Sequence, residues 1–409
     1  MTKRRILYII LDDMSSANIS FCVARGALKS ARAVRGLVRA LSAVPDFRMD
    51  RRKRHRLVTI LVIGVMCLLS YGSSFRDMEA YGKKFRLRLS RFLPMANGVP
   101  SHDTFGRVFS KLPPESLVQG LGVWLRAVAG RMDGKPVSFD GKSVRRACEK
   151  GKDGRAPHVE SAWADGADVC LGQVRVAEKE NEIVAIPKLV RRLFLGGAVL
   201  TFDAMGCQRE IAAVCRDAGA HYLLPLKDNQ PTVSDEVTRF MRHVRDTAPK
   251  SLTYSGAVDK GHGRLWRRKA WQSCDVAWFE DRARWRDLAG FVMIETSRWE
   301  GGKWTDPDVR CYLTSLAADA SRLRRIARAH WGVENRLHWV LDVVFGEDYC
   351  RARSGFAPEN LNALRKLALT LLRRNGIPGK GVKDMRLECA WDFDLAVKVL
   401  FGGESEEVR

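Results

Sequence analysis

A mixed α/β core entered through a helical segment is the fold class this 409-residue sequence predicts. Three observations carry it. Apolar runs from Val34 to about Gly130 recur with basic residues between them, as helices do. Short β-rich runs begin near residue 136 and alternate with helical stretches, the pattern of an α/β sheet. From 231 to 320 the chain breaks into short aromatic segments separated by Gly, Asp and Pro, and from Ser321 to Arg374 it reads as helical again.

Taken in order, residues 1–33 show no regular pattern and are expected to be an extension. The apolar stretch Ile6 to Leu11 ends at Asp12-Asp13, too short for a secretory signal. Leu57 to Leu69 is more apolar, yet below the ~18–20 residues that cross a bilayer, so a buried helix is expected there. The basic run Arg51 to Arg56 leads into it. After Pro100, either Ser101 or Asp103 is placed to cap the next helix. This 34–130 segment is expected to be a helical, DNA-binding domain.

Four strands are predicted next: Pro136 to Asp140, Val169 to Val176, Gly197 to Asp203 and His221 to Leu226. Between the last two, Cys207 to Ala218 reads as a helix stopped by Gly219. Residues 131–230 are therefore the first part of the core. Six of the eleven Trp fall in 231–320, which reads as a β-rich insertion with those rings as its own core. Residues 321–375 complete the core with helices, and 376–409 are expected to be a C-terminal tail, polar from Glu404.

Composition narrows the function. Lys and Arg number 70 against 47 Asp and Glu, a net charge of +23. Such an excess favours a polyanion, because each basic group on a phosphate releases condensed counterions. The charge is spread along the chain and not gathered in one amphipathic segment, which favours nucleic acid over membrane. The ten cysteines form no C-x-x-C pair. Cys67, Cys170 and Cys311 lie in apolar runs as small hydrophobes, so free thiols and a cytoplasmic, nucleoid-associated location are expected.

Asp140 and Asp203 each close an apolar strand and precede a small residue, Gly141 or Ala204. Glu334 lies in a helical run from Arg328 to Asp342, where His330, Glu334, His338 and Asp342 recur every four residues along one face. Carboxylates are hard ligands suited to Mg²⁺ or Mn²⁺, and two such ions can drive phosphodiester chemistry. Singly, a strand-end Asp is more often a turn or cap residue. A zinc site of two His and a carboxylate is a weaker alternative, since the H-E-x-x-H order is absent.

Several strings resemble the H-repeat-associated DDE transposases of bacterial insertion sequences. They include Gly98 to Arg107, Phe139-Asp-Gly-Lys-Ser143, Ser161-Ala-Trp163, Leu171-Gly-Gln173, Lys179 to Ile183 and Phe202-Asp-Ala-Met-Gly-Cys-Gln208. Leu226 to Gln230, His330 to Asp342, Glu347-Asp348, Arg351-Ala-Arg353 and Pro358-Glu-Asn360 follow. The likeness runs from about Val44 to Arg374. It implies a ribonuclease-H-like catalytic core, with Asp140, Asp203 and Glu334 as a catalytic, metal-binding triad for Mg²⁺ (or Mn²⁺). The implied partners are double-stranded DNA, as terminal inverted repeats and target, and a second copy of the chain as a homodimer on DNA. In His262-Gly-Arg-Leu-Trp266-Arg-Arg268, Trp stands where the family usually has Glu.

Candidate DNA contacts follow from charge and position. They are Lys142, Arg145 and Arg146 past the first acid; Lys227, Asn229 and Gln230 after the fourth strand; and His262 and Arg264 in the insertion. Arg328, His330 and His338 flank the last acid, with Arg322 and Arg325 on preceding turns. A metal-dependent nuclease without strand transfer, and an inactive or domesticated DNA-binding protein, are the alternative functions.

Overall fold

In a computed structural model of the chain, residues 36–147, 156–177, 180–261 and 263–402 are described, save the side chain of Arg52. The expected extension at 1–33, His262 and the polar end from Glu404 lie outside the described residues. The chain divides into two compact units.

One unit comprises the described residues up to Ala127, with Val144–Pro157 and Trp339 onward. It is helical. Leu57–Leu69 forms the expected buried helix, with Ile60 to Leu69 at most 1% exposed apart from Gly64, and it packs against the Ala357–Asn375 helix. Each buried Leu or Ile contributes about 1.5–3 kcal/mol against leaving it in water. Ser101 caps His102–Lys111 by accepting from the Thr104 amide. No described helix is long and apolar enough to cross a membrane.

The motif strings in this unit have structural work. Asn360 donates through Nδ2 to the carbonyls of Phe109 and Leu112, 2.8 Å each, tying two helices together in the interior. Buried Glu347 meets the Nη1 of buried Arg365 at 3.2 Å and accepts from Asn362 at 2.9 Å. Beyond residue 375, where a tail was expected, Val382–Trp391 and Phe393–Phe401 are helices. They pack on the Leu57–Leu69 and Ala357–Asn375 helices, with Met385, Cys389, Ala396 and Leu400 buried.

The other unit, Val128–Ser143 and His158–His338, holds the sheet. Its strands are β1 (Pro136–Ser143), β2 (His158–Ala164), β3 (Val169–Val176), β4 (Val199–Thr201) and β5 (His221–Leu226). They continue with β6 (Thr253–Gly261), β7 (Arg264–Ser273), β8 (Gly290–Glu300), β9 (Lys303–Trp304) and β10 (Asp308–Thr314). The order is β3-β2-β1-β4-β5-β10-β8-β7-β6, with β9 beside β8. β4 runs parallel to β1 and β5; the other pairs are antiparallel.

Two sequence expectations are revised here. The 231–320 segment opens with a 17-residue helix, Pro231–Thr247, whose Val233, Val237 and Met241 are buried at a spacing of four. Its strands do not build a separate module, since β10 pairs with β5 and so extends the core sheet. Nor do its six Trp make one core. Trp285 is fully buried, Trp299 is exposed, and Trp266, Trp271, Trp278 and Trp304 are half-buried.

The helix Ala320–His330 lies across one face of this sheet. Its Ala320, Leu323 and Ile326 pack on Val199, Leu223, Val292 and Ile294. On the opposite face Phe139 and Phe202 stack with centroids 4.9 Å apart, and the Glu182–Val190 helix covers β2 and β3.

Candidate active site

Strand alternation and register set the site. β1 and β4 pair as Val137↔Leu200 and Ser138↔Thr201. Beyond Thr201 the parallel pairing stops: Asp203 follows the carboxyl end of β4, where α/β sheets gather functional groups, while Asp140, two residues past Ser138, is still within β1 and pairs with Ser161 of β2. β4 is cut short at Thr201, and Asp203 begins the Ala204–Gly206 turn.

Ser138 shares a face with Asp140, because side chains two apart point the same way. There Thr201 Oγ1 donates to Ser138 Oγ at 3.2 Å and stands 2.9 Å from His330 Nδ1. With the Thr201 proton so used, His330 Nδ1–H is the donor to Thr201. Burial pushes the His330 pKa down, against a smaller upward pull from the Asp140 charge.

Asp140 Oδ1 accepts from the Gly141 amide at 3.0 Å, and Oδ2 lies 3.2 Å from His338 Nε2. His338 is 3% exposed, and both its ring nitrogens are buried without a hydrogen bond. Asp203 is held above its ordinary pKa by burial first, then by the charges of Glu182 and Asp140. The Gly206 and Met205 amides pull the other way.

The last acid sits on an unexpected turn. Val333–His338 is a π-helix, inserted after Ala320–His330 and packed on β1. Its wider i→i+5 turns displace side chains from the α-helical face that a spacing of four implies. His338 therefore points inward at Asp140 while Glu334 is exposed. Arg336 anchors the turn through Asp168 at 2.6 Å and Asp165 at 3.6 Å. Gly332 permits that approach: a Cβ there would stand 2.2 Å from Asp165 Oδ1.

Of the predicted site residues, the two Asp come together, and Glu334 lies four residues before the His that touches Asp140. Among the described residues the acids and imidazoles whose ligand atoms all lie within 4.8 Å of one another are not the triad but His158, Glu160 and Glu182. The donor chemistry of Asp140 and Asp203, carboxylate oxygens at neighbouring strands, fits a hard divalent cation nonetheless. Burial first, and then the charges of Glu182 and Asp140, disfavour the ionised form of Asp203, and the buried His338 ring stands against Asp140 without a hydrogen bond. Glu182 and the inward set of His338 escaped the sequence reading; the Lys179 to Ile183 string was the available signal for Glu182.

The other candidates scatter. Lys227, Asn229, Arg264 and Arg328 are exposed. Gln230 is committed to the loop after β4, its Nε2 donating to the Cys207 carbonyl at 3.2 Å. Arg145 and Arg146 belong to the helical unit, where Arg145 meets Asp348 at 3.7 Å and Arg146 lies over the Tyr349 ring. His330 and His338 face inward at the site, and neither is placed as a surface DNA contact.

Comparison with known proteins shows which family the sequence matches. Residues 38–125 match the DDE_Tnp_1-associated family and residues 129–371 the Transposase DDE domain. YhhI of Escherichia coli (strain K12), whose name places it among H repeat-associated transposases, is 30% identical over 371 residues. That match covers 90% of this chain and 98% of YhhI. An uncharacterized protein from the dhlA 3′ region of Xanthobacter autotrophicus is 37% identical over 280 residues, 68% of this chain and 93% of that one. Among shorter relatives, the E. coli (strain K12) protein named inactive transposase YbfQ is 31% identical over 75 residues, 18% of this chain and 89% of its own. The piggyBac transposase synaptic complex with hairpin DNA aligns with TM-score 0.41 and 9% identity, over 93% of this chain and 80% of that chain.

Proposed function

Since the chain belongs to the DDE transposase family, we propose that it cuts the ends of its own insertion sequence and joins them to target DNA. The sheet is then a ribonuclease-H-like core. Asp140, Asp203 and Glu334 hold Mg²⁺ or Mn²⁺. When bound, the ions supply positive charge that activates an attacking water or 3′-hydroxyl and steadies the leaving oxygen.

The observation that carries this reading is the placement of Asp140 on β1 and Asp203 just past the adjacent parallel β4, close enough that burial and the charges of Glu182 and Asp140 push Asp203 up. Carboxylates gathered at such a cost to their ionised forms are stabilised by a cation. The remaining steps belong to the chain's own groups. The Gly141 amide fixes one oxygen of Asp140, and His338 stands against the other. His330 bonds Thr201, which in turn donates to Ser138, so the chain of contacts ties the Ala320–His330 helix to β4 and β1. The π-helical turn, anchored by Arg336, carries Glu334 at the solvent side, where a DNA strand approaches.

The +23 charge supports DNA as the partner. Joining two ends calls for two active sites, so a homodimer on DNA is part of the proposal. The test is strand transfer with pre-cut element ends, target plasmid and Mg²⁺. Joined product is expected. Cleavage without joining would reduce the chain to a metal-dependent nuclease.

A second reading, a DNA-binding protein that no longer cuts, is favoured by one departure: Trp266 where the family usually has Glu. Trp266 is half-buried on β7, with Arg268 and Arg298 stacked over its ring. Failure to cut, with binding of end DNA intact, would select it.

A further inference from the structure

Strand alternation puts a second set of metal-ligand side chains at the end of β1, on the face opposite Asp140. Gly141 pairs with Glu160 across to β2, and Ser143 pairs with His158. Partners in register share a face, so His158 and Glu160 lie on the Gly141 side, away from the Asp140–Ser161 side. The first turn of the Glu182–Val190 helix brings Glu182 to the same point. We propose that His158, Glu160 and Glu182 form a second divalent-cation site, for an ion of the Mn²⁺, Co²⁺ or Zn²⁺ class, distinct from the triad.

Three features support it. The donor atoms all lie within 4.8 Å of one another, and His158 Nε2 to Glu182 Oε1 is 2.6 Å. Two donors on one ion, each bound at about 2.0–2.2 Å, stand no more than about 4.4 Å apart. Seating an ion would therefore part His158 and Glu182 from hydrogen-bond contact by roughly half an ångström and draw in any pair standing beyond about 4.4 Å.

Convergence over a glycine is the second feature. A Cβ on Gly141 would lie 2.2 Å from His158 Nε2, 2.4 Å from Glu182 Oε1 and 3.0 Å from Glu160 Oε2. All three donors are aimed at one spot beside bare backbone, which any other residue would block.

The third is the imidazole's outer support. Ser143 Oγ stands 3.0 Å from His158 Nδ1. Accepting from Nδ1–H, it presents the Nε2 lone pair to the carboxylates, as ligating histidines are commonly held. An imidazole nitrogen beside two carboxylates suits borderline ions better than Mg²⁺, which prefers all-oxygen surroundings. Glu160 is 1% exposed while His158 and Glu182 are half-buried, so the set is rooted in the interior and reached from one side. The ordinary reading is a proton shared between His158 and Glu182, with Glu182 also favoured at a helix N-terminus; a cation would displace that proton to solvent.

The inference does not depend on the triad being catalytic, and its test separates the two. Mn²⁺ binding to the full chain is followed by electron paramagnetic resonance in an Asp140→Asn, Asp203→Asn, Glu334→Gln background. One equivalent is expected to remain bound, with ¹⁴N modulation from a coordinating imidazole. Glu160→Gln should weaken it at least about tenfold, and His158→Gln should abolish the nitrogen signal. Thermal melts of each variant without metal check that the fold is retained. No Mn²⁺ bound in the background chain overturns the proposal; so does binding that Glu160→Gln and His158→Gln leave unchanged in folded protein.

Discussion

Asp203 shows what a single side chain costs at this site. Burial and the charges of Glu182 and Asp140 raise its pKa in the fold. The folded chain therefore holds that proton more tightly than the unfolded chain does. Its contribution to stability is fully present below the unfolded pKa, near about 3.9, and is lost as pH rises through the higher folded value. In EDTA at neutral pH, Asp203→Asn should melt above the wild type, and the gain should close as pH falls toward about 4. Equal melting across that range would mean that Asp203 carries no such strain. Gly332 gives a second residue-scale prediction. Gly332→Ala drives a Cβ to within 2.2 Å of Asp165 Oδ1, so denaturant melts should show a loss of about 1–3 kcal/mol. Asp140 and Asp203 stood out because each follows an apolar run and precedes a small residue; the strand expected to close at Asp140 nonetheless continues to Ser143, since β2 goes on pairing with it. His338 did not stand out. Its spacing of four from Glu334 reads as a shared α-helical face, and only the π turn sends one inward and the other out.

At the scale of elements, legibility followed pattern strength. β3 and β5 matched their predicted bounds because their apolar runs are unbroken. β2 went unread: Glu160 and Ser161 interrupt its apolar run although both are buried. The Pro231–Thr247 helix was also passed over, although Pro at its first turn and Val233, Val237 and Met241 spaced by four mark it. The Trp-rich texture further along coloured the whole segment. Family strings outside the site now have element-scale roles, as Asn360 illustrates. Asn360→Ala would strand the buried carbonyls of Phe109 and Leu112, at a cost of about 2–3 kcal/mol. Urea unfolding should show that loss; a change under about 0.5 kcal/mol would mean that the two bonds do not tie these helices.

For the whole molecule, charge and chemistry divide the task. In the proposed function the +23 excess governs association with DNA, and the carboxylates govern what happens to it. These separate experimentally. Binding of end DNA should weaken steeply with salt in wild type and in Asp203→Asn alike, since neither a carboxylate nor its amide neutralises phosphate. The central claim is that Asp140, Asp203 and Glu334 cut DNA with a bound divalent ion. Its most direct test is Mg²⁺- or Mn²⁺-dependent nicking of DNA carrying the element's own ends, by wild type and Asp203→Asn side by side with a mobility shift. Cutting by the wild type, falling at least about a thousandfold in the variant while the shift persists, is the predicted result. Equal cutting by both proteins would contradict it.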